Sequence, residues 1–266
     1  MRSSVRLGSG PGFTLDAVTC ADDHRRWSGA EVGDAHRVVL VRRGRFRRMA
    51  DGRVADLDPA MAYAGLPGQE EHFAHPAGGD VCTALTVSPG LWRTLSGSRP
   101  VRAQLYVDAP LDLAHRRLLR AARAGDTPFA LTEALLGLVA ATLTGAPGEM
   151  TAGTATAVVR RAREAIAAGH PAAGGLMPLA ALLGVSPFQL SRAFTGVLGV
   201  SLTHYRNRVR VGRVLDRLEQ GERSLAALAA DLGFADQAHL TRTVRGHLGH
   251  TPAALRRLLA PERSTT

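Results

Sequence analysis

The strongest constraint on the fold of this chain is a helical unit that occurs twice near its C-terminus. The first copy reads LLGVSPFQLSRAFTGVLGVS over residues 182–201, and the second reads DLGFADQAHLTRTVRGHLGHT over residues 231–251. Leu183-Gly184 recurs as Leu232-Gly233 at an offset of 49, and the residues from Leu190 onward recur at an offset of 50. A shared period with variation confined to one turn is typical of a duplicated supersecondary unit.

Each copy is predicted to be a short helix, a turn that contains glycine, and a second helix. Gly184 can end the first helix by adopting a left-handed conformation. Ser186 can then cap the next helix, and Pro187 occupies its first position, where a missing N–H costs nothing. Asp236 takes the capping position in the second copy. Apolar residues at helical spacing predict the buried faces of the two second helices: Leu190, Phe194, Val197 and Leu198, then Leu240, Val244 and Leu248.

The outer faces of these second helices are polar. They carry Gln, Arg, Ser and Thr, whose side chains hydrogen-bond base edges and phosphates. This composition favours DNA-binding helix-turn-helix units over a plain packing motif. The predicted DNA-binding residues are Ser186, Phe188, Gln189, Ser191, Arg192, Asp236, Gln237, His239, Thr241, Arg242 and Arg245.

Several motifs of this region belong together. They are LSRAF at residues 190–194, Tyr205 with Arg210, LAADLGFAD at 228–236, LTRTV at 240–244, and Gly249 with Thr251 and Pro252. On these motifs the C-terminal part resembles the AraC family of bacterial transcription regulators. The resemblance implies two helix-turn-helix units that bind double-stranded DNA, an N-terminal cupin barrel that holds a small effector, and RNA polymerase as a further partner.

The distribution of charge points to the same region. The chain has 33 arginines, no lysine and a formal net charge of +10. Residues 155–266 hold 15 arginines against 7 acidic residues, a net charge of +8, whereas the preceding 154 residues have a net charge of only +2. A polyanion is therefore the expected partner of the C-terminal part.

Residues 1–95 are predicted to form a cupin-like β-barrel. Short strands at 13–20, 38–41, 45–49, 54–57 and 81–87 are separated by turns rich in Gly, Pro and Asp. Asp51-Gly52 is a strong hairpin signal, and HRVVLVRRGRFRR is interpreted as a second hairpin with Gly44 at its turn. The stretch YAGLPGQEEHFAHP, with its Pro-Gly turn, looks like part of the same barrel.

The segment 96–148 is predicted to be a helical linker and dimerisation segment. The apolar face of its helix over residues 131–142 can either pack on the barrel of the same chain or form the contact surface of a homodimer. Residues 145–153 (GAPGEMTAG) are the expected interdomain linker. The third predicted domain, 155–260, contains the two DNA-binding units, joined by a helix over 201–220. The predicted class is thus α+β: an N-terminal barrel, a helical segment and an all-α C-terminal domain.

A group of metal-ligating residue types lies in the N-terminal half. Cys20, His24, His72, His75 and Cys82 can converge if the first and last strands pair, and Cys and His are good zinc ligands. No C-x2-C or H-x3-H pair supports a metal site, and buried Cys often acts as a small hydrophobe. The sequence therefore assigns no metal and no cofactor, and a metal- or thiol-sensing regulator stays an alternative.

No nucleophile elbow, P-loop or dinucleotide glycine motif is present, so we expect no enzyme and no catalytic residues. A cupin-type metalloenzyme with a DNA-binding tail is the rival class. The absence of an apolar signal segment in the first twenty residues and of a long apolar run predicts a soluble, cytoplasmic protein without a membrane partner. Residues 1–12, rich in Ser, Gly and Pro, are expected to be flexible and to order over the effector.

Overall fold

The computed structural model describes residues 2–97, 103–124, 127–144 and 154–259. Ten strands lie in the N-terminal half of this described part. They are β1 (Arg2–Gly10), β2 (Phe13–Cys20), β3 (Glu31–Val32), β4 (His36–Arg43), β5 (Phe46–Ala50), β6 (Arg53–Leu57), β7 (Met61–Gly65), β8 (Glu70–Ala74), β9 (Asp80–Val87) and β10 (Gln104–Tyr106).

Ten α-helices follow or interrupt these strands within the same described residues. They are α1 (Pro89–Ser96), α2 (Ala109–Ala124), α3 (Thr132–Thr144), α4 (Thr154–Ala167), α5 (Leu176–Leu183), α6 (Pro187–Leu198), α7 (Leu202–Glu219), α8 (Leu225–Asp231), α9 (Gln237–Leu248) and α10 (Pro252–Leu259). A strand-rich first half and a helical second half confirm the predicted α+β class. No helix in the described ranges is long and apolar enough to cross a bilayer.

Two antiparallel sheets form the barrel. One has the strand order β1-β2-β9-β4-β7-β10, and the other has the order β3-β8-β5-β6. The predicted Asp51-Gly52 hairpin is confirmed, since β5 and β6 pair with Ala50 opposite Arg53. A further strand of the larger sheet lies after residue 95, since β10 pairs with β7 at Leu105 and Ala62. The domain limits 1–95, 96–148 and 155–260 remain proposals, and the predicted linker 145–153 lies outside the described residues.

Two local predictions about the barrel are wrong. The strands on either side of Gly44 do not form a hairpin, because β4 belongs to the larger sheet and β5 to the smaller one. Gly44 instead allows a close crossing: its φ is +76°, and a Cβ there would lie 2.4 Å from the carbonyl oxygen of Gly79. The chain start is also not a flexible segment, since β1 pairs along β2 from Arg2 opposite Cys20 to Gly10 opposite Phe13.

The predicted helical stripe of the middle segment packs on its own barrel. Leu131, Leu135 and Leu138 are buried in one apolar cluster with Leu15 and Leu85 of the larger sheet. Burial of these side chains removes apolar area from water, at about 25 cal/mol per Å². This stripe is therefore not the free surface that a dimer seam needs.

A second apolar cluster joins the barrel to the C-terminal half. Tyr106 of β10 lies 6.3 Å, centroid to centroid, from the ring of Tyr205 on α7, and Tyr205 lies 5.3 Å from Phe194 on α6. All three aromatic side chains are buried. A continuous packed contact thus runs from the barrel to the helix that we predicted to read DNA.

Candidate DNA-binding surface

The two predicted helix-turn-helix units are present, and both second helices have the predicted caps. In the first unit Gly184 ends α5 at φ 69° and ψ 33°, and the Ser186 hydroxyl accepts a hydrogen bond from the N–H of Gln189. In the second unit the Asp236 carboxylate accepts from the N–H of His239. The duplication extends to the far ends, where Gly199 and Gly249 end α6 and α9 in the left-handed conformation, at φ 71° and 69°.

The buried faces of α6 and α9 confirm the sequence pattern. Leu190, Phe194, Val197 and Leu198 are buried on α6, and Leu240, Val244 and Leu248 are buried on α9. The intervening helix α7 buries Val211, Val214, Leu215 and Leu218, as its spacing predicts. The two reading helices pack in two separate apolar clusters: α6 packs with Tyr205 at the start of α7, and α9 packs with the later residues of α7. The helix α7 therefore connects the two.

The outer face of α6 carries the predicted polar residues. Gln189, Ser191, Arg192 and Thr195 are exposed. Arg192 extends over the ring of Phe188, with 5.5 Å between the guanidinium carbon and the ring centroid. Phe188 is itself 68% exposed, which is unusual for a large aromatic residue on a helix that has an apolar core face. An exposed aromatic ring and an arginine at the start of a helix suit contact with DNA.

The outer face of α9 is the counterpart of this surface. Gln237, Arg242 and Arg245 are exposed, and His239 and Thr241 are half-buried. His239 Nδ1 lies 3.2 Å from the backbone N–H of Ala235 and can accept its hydrogen bond. Because this ring also packs on Phe234 at 5.5 Å, it supports the turn between the two helices.

Besides His239, three of the predicted contact residues, Ser186, Gln189 and Asp236, have local structural roles at the starts of their helices. The side-chain oxygen of Gln189 accepts from the N–H of Ser186, which completes a capping box with the reverse bond. Asp236 is the cap of α9. These bonds leave the Gln189 amide N–H groups for a ligand, so its contact with a base stays a prediction.

We predict that Ser186→Ala destabilises the protein by about 0.5–2 kcal/mol, because the N–H of Gln189 loses its capping partner. The free energy of unfolding can be measured by urea denaturation followed by circular dichroism. Ser191→Ala is the matched control: Ser191 is exposed in the interior of the same helix and caps nothing. Equal stability of the Ser186→Ala variant and the wild type would contradict this role.

The Cys and His candidates of the N-terminal half lie mainly together. Cys20 is the last residue of β2 and faces Asp80, the first residue of β9, across the paired strands. His75 Nδ1 lies 3.3 Å from His24 Nε2, and the other ring nitrogen of His75, Nε2, lies 2.9 Å from Asp80 Oδ1. The Cys82 thiol donates to Asp80 Oδ2 over 2.9 Å.

His72 does not belong to this group. Its Nδ1 lies 3.0 Å from the carbonyl oxygen of Ser28, and its Nε2 lies 3.0 Å from Glu70 Oε1. Sequence reasoning missed Asp80, although it stands two residues before Cys82 and so on the same face of the strand. The group borders a cavity of about 200 Å³ inside the barrel.

Comparisons with known proteins agree with this geometry. Residues 179–258 match the helix-turn-helix domain family. The C-terminal domain of AraT, a response regulator from Geobacillus stearothermophilus, is similar at 27% identity over 43% of this chain and 95% of that one, with a TM-score of 0.39. No curated protein matches the sequence.

Two further solved structures are among those that this chain matches. ToxT from Vibrio cholerae is 9% identical over 94% of this chain and 99% of that chain, with a TM-score of 0.36. A cupin superfamily protein from Desulfitobacterium hafniense is 16% identical over 33% of this chain and 78% of that one, with a TM-score of 0.30. The family match begins within α5 and ends within α10, so it spans both capped units. Residues 179–258 of this chain therefore form a helix-turn-helix domain.

Proposed function

We propose that this protein is a sequence-specific transcription regulator whose N-terminal barrel senses a small effector. The observation that carries the proposal is the pair of capped helices, α6 and α9, that present Arg and Gln to solvent and that both pack against α7. Two such helices on one chain can enter successive major-groove segments, so the two half-sites need not be palindromic. The proposed site of action is the cytoplasm, where RNA polymerase is the further partner.

The contact between barrel and DNA-binding domain supports effector control. Besides the aromatic packing of Tyr106 on Tyr205, the buried guanidinium of Arg208 on α7 donates to the carbonyl oxygen of Val107 over 2.7 Å. An effector shifts DNA affinity only by its differential affinity for two arrangements of the protein. A coupling of about 1–3 kcal/mol would change DNA affinity by about 5- to 150-fold.

A homodimer is part of the proposal, through the outer side of the middle helical segment. Phe129, just before α3, is 79% exposed, and Leu136 within α3 is 45% exposed. Both are large apolar side chains on the side away from the stripe that packs on the barrel. Sedimentation of the wild type and of a Phe129→Ser, Leu136→Ser variant tests this contact, and equal oligomeric states of the two proteins would contradict it.

The proposed role is regulation and not catalysis. The alternative, a cupin-type metalloenzyme with a DNA-binding tail, would draw its support from the Cys, His and Asp group in the barrel. The two classes differ in one measurement. A regulator binds its effector and releases it unchanged, whereas an enzyme converts a substrate at a rate that depends on the barrel residues.

The direct test of sequence-specific reading is a pair of arginine variants. Arg192→Ala and Arg242→Ala should each weaken binding by about 1–3 kcal/mol and relax base preference at one position, because an arginine fork suits guanine O6 and N7. Duplexes selected from a random pool by the full-length wild type supply the binding sites. Affinity for every single-base variant of the selected site is then measured for each protein.

Arg223→Ala is the matched control, since Arg223 is exposed in the turn between α7 and α8 and lies on neither reading helix. It should keep the base preference of the wild type at every position. If Arg192→Ala and Arg242→Ala weaken binding to all sequences equally, these arginines contact phosphate and the proposed base reading is wrong. If the wild type selects no sequence at all, the regulatory proposal fails.

A further inference from the structure

We propose that the barrel binds one zinc ion through the thiolate of Cys20, the imidazole of His75 and the carboxylate of Asp80. These residues bring three different ligand types to one point, and their ligand atoms all lie within 4.8 Å of one another. Zinc is commonly bound by Cys sulfur, His nitrogen and Asp oxygen at about 2.0–2.3 Å. A modest inward adjustment of the side chains would place all three at that distance from one ion.

The fold brings these residues together without any of the usual short motifs. Cys20 and Asp80 are opposite each other on the paired strands β2 and β9, so their side chains project from the same face. His75 comes from the other sheet, one residue after the end of β8, and the N–H of His75 donates to the carbonyl oxygen of His24 over 2.8 Å. The three candidate ligands are 5–7% exposed.

One oxygen of Asp80 identifies the position of the cation. Asp80 Oδ1 is buried and has no hydrogen-bond partner among the described residues, although His75 Nε2 lies 2.9 Å away. A buried carboxylate oxygen that accepts no hydrogen bond is costly, and buried charges are usually paired or bound to a metal. The contact of Asp80 Oδ1 with His75 Nε2 is an ion pair only when His75 is protonated. A cation between Asp80, His75 and Cys20 removes that cost and neutralises the thiolate and the carboxylate.

The surrounding residues are arranged as supporting partners of these ligands. His24 Nε2 lies 3.3 Å from the second ring nitrogen of His75, and the Cys82 thiol donates to the second oxygen of Asp80. Partners of this kind fix the orientation of metal ligands.

The chemistry of the set favours zinc over other ions. Magnesium and calcium prefer oxygen ligands only, and this site offers one sulfur and one nitrogen besides its carboxylate. Three protein ligands leave the fourth position of a tetrahedral ion free. The three candidate ligands line the cavity of about 200 Å³, together with apolar rings such as Phe46 and charged side chains such as Arg37. A bound ion would thus lie at the wall of this pocket.

Cobalt can serve as the spectroscopic probe of this site. Full-length protein is treated with a chelator, then titrated with Co²⁺, and finally challenged with Zn²⁺. We expect one Co²⁺ per chain, a thiolate-to-cobalt charge-transfer absorption, and loss of that absorption on addition of Zn²⁺. A folded wild type that takes up no Co²⁺, or binds it without the thiolate absorption, overturns the proposal.

The variants identify the ligands. Cys20→Ser should abolish the charge-transfer absorption, and Asp80→Asn and His75→Ala should weaken Co²⁺ binding by more than about 100-fold, since even supporting residues typically contribute about 10- to 100-fold. His24→Ala, at a positioning residue, should keep the absorption and lose about 10- to 100-fold in affinity. His72→Ala is the matched control: His72 lies on β8, which ends one residue before His75, and its variant should equal the wild type.

Circular dichroism establishes that each variant is folded, and Cys20→Ser and Asp80→Asn change almost no volume. Unchanged absorption and affinity in both of these folded variants would overturn the site. Metal uptake needs no DNA, so this result is independent of the proposed regulatory function. Selection of DNA duplexes by the same zinc-loaded protein tests the regulatory function separately. The protein can bind the metal and select no DNA sequence, or select a DNA sequence and bind no metal, so the two proposals can fail independently.

Discussion

Replacing Arg208 by alanine is expected to lower the free energy of unfolding by up to about 3–5 kcal/mol, because the buried Asp112 carboxylate loses one of the two arginines paired with it and keeps only Arg116. Arg208 is only 3% exposed, and its guanidinium lies 3.1 Å from Asp112 Oδ2. It also donates to the carbonyl oxygens of Val107 and Pro59. Arg208 belongs to α7 of the DNA-binding domain, whereas its three partners lie on the barrel side of the contact.

Two comparisons separate a lost ion pair from general damage to the helix. Arg217 lies on the same helix as Arg208 and forms surface ion pairs with Glu222 and Asp231. Arg217→Ala should therefore have a much smaller effect on the free energy of unfolding. The double variant Arg208→Met, Asp112→Leu should recover part of the loss, because no buried carboxylate is then left short of a partner, and Arg116 keeps its ion pairs with Asp216 and Glu219. Urea denaturation of the full-length proteins measures the free energy of unfolding of all three variants. An Arg208→Ala variant that is as stable as the wild type would contradict the prediction.

The pH dependence of stability gives an independent measure of this pair. Burial alone would raise the pKa of the Asp112 carboxyl, but the charges of Arg208 and Arg116 lower it below its ordinary value. A carboxyl with a lowered pKa in the folded state contributes stability above its ordinary pKa and loses it as the pH falls through the folded value. Arg208→Ala should therefore lose less stability than the wild type between neutral pH and acid.

DNA affinity is expected to fall by about a thousandfold between about 50 and 200 mM salt, if the protein neutralises about six phosphates. The physical reason is the release of counterions by arginines in the C-terminal part, where residues 155–266 have a net charge of +8. The full-length protein and a duplex that it selects are titrated at several salt concentrations. The slope of log affinity against log salt counts the phosphates.

The slope also tests single residues. Arg245→Ala, on the exposed face of α9, should reduce the slope by about one unit if Arg245 contacts a phosphate. Arg53→Ala, an exposed arginine on β6 of the barrel, should leave the slope unchanged. A flat salt response of the wild type would exclude a phosphate-dominated interface and, with it, the role of the basic C-terminal part.

The elements that the sequence predicted well are those governed by local rules. The repeat, the caps at Ser186 and Asp236, and the left-handed Gly184 each depend on residues within one turn of chain, so their pattern is visible in the printed sequence. The same is true of the Asp51-Gly52 hairpin. The local rule gave a wrong prediction at Gly44. A glycine between two strands predicts a hairpin, but these two strands belong to different sheets.

The sequence by itself determined that the C-terminal part has two capped helix-turn-helix units with polar outer faces, because helical period and capping are properties of neighbouring residues. Only the tertiary structure decided which distant residues meet. In the tertiary structure β1 pairs with β2, Arg208 is buried against Asp112, and Asp80 lies beside His75 and the two cysteines. Sheet order and domain packing depend on the burial of apolar side chains from the whole chain, so they cannot be predicted from any short motif.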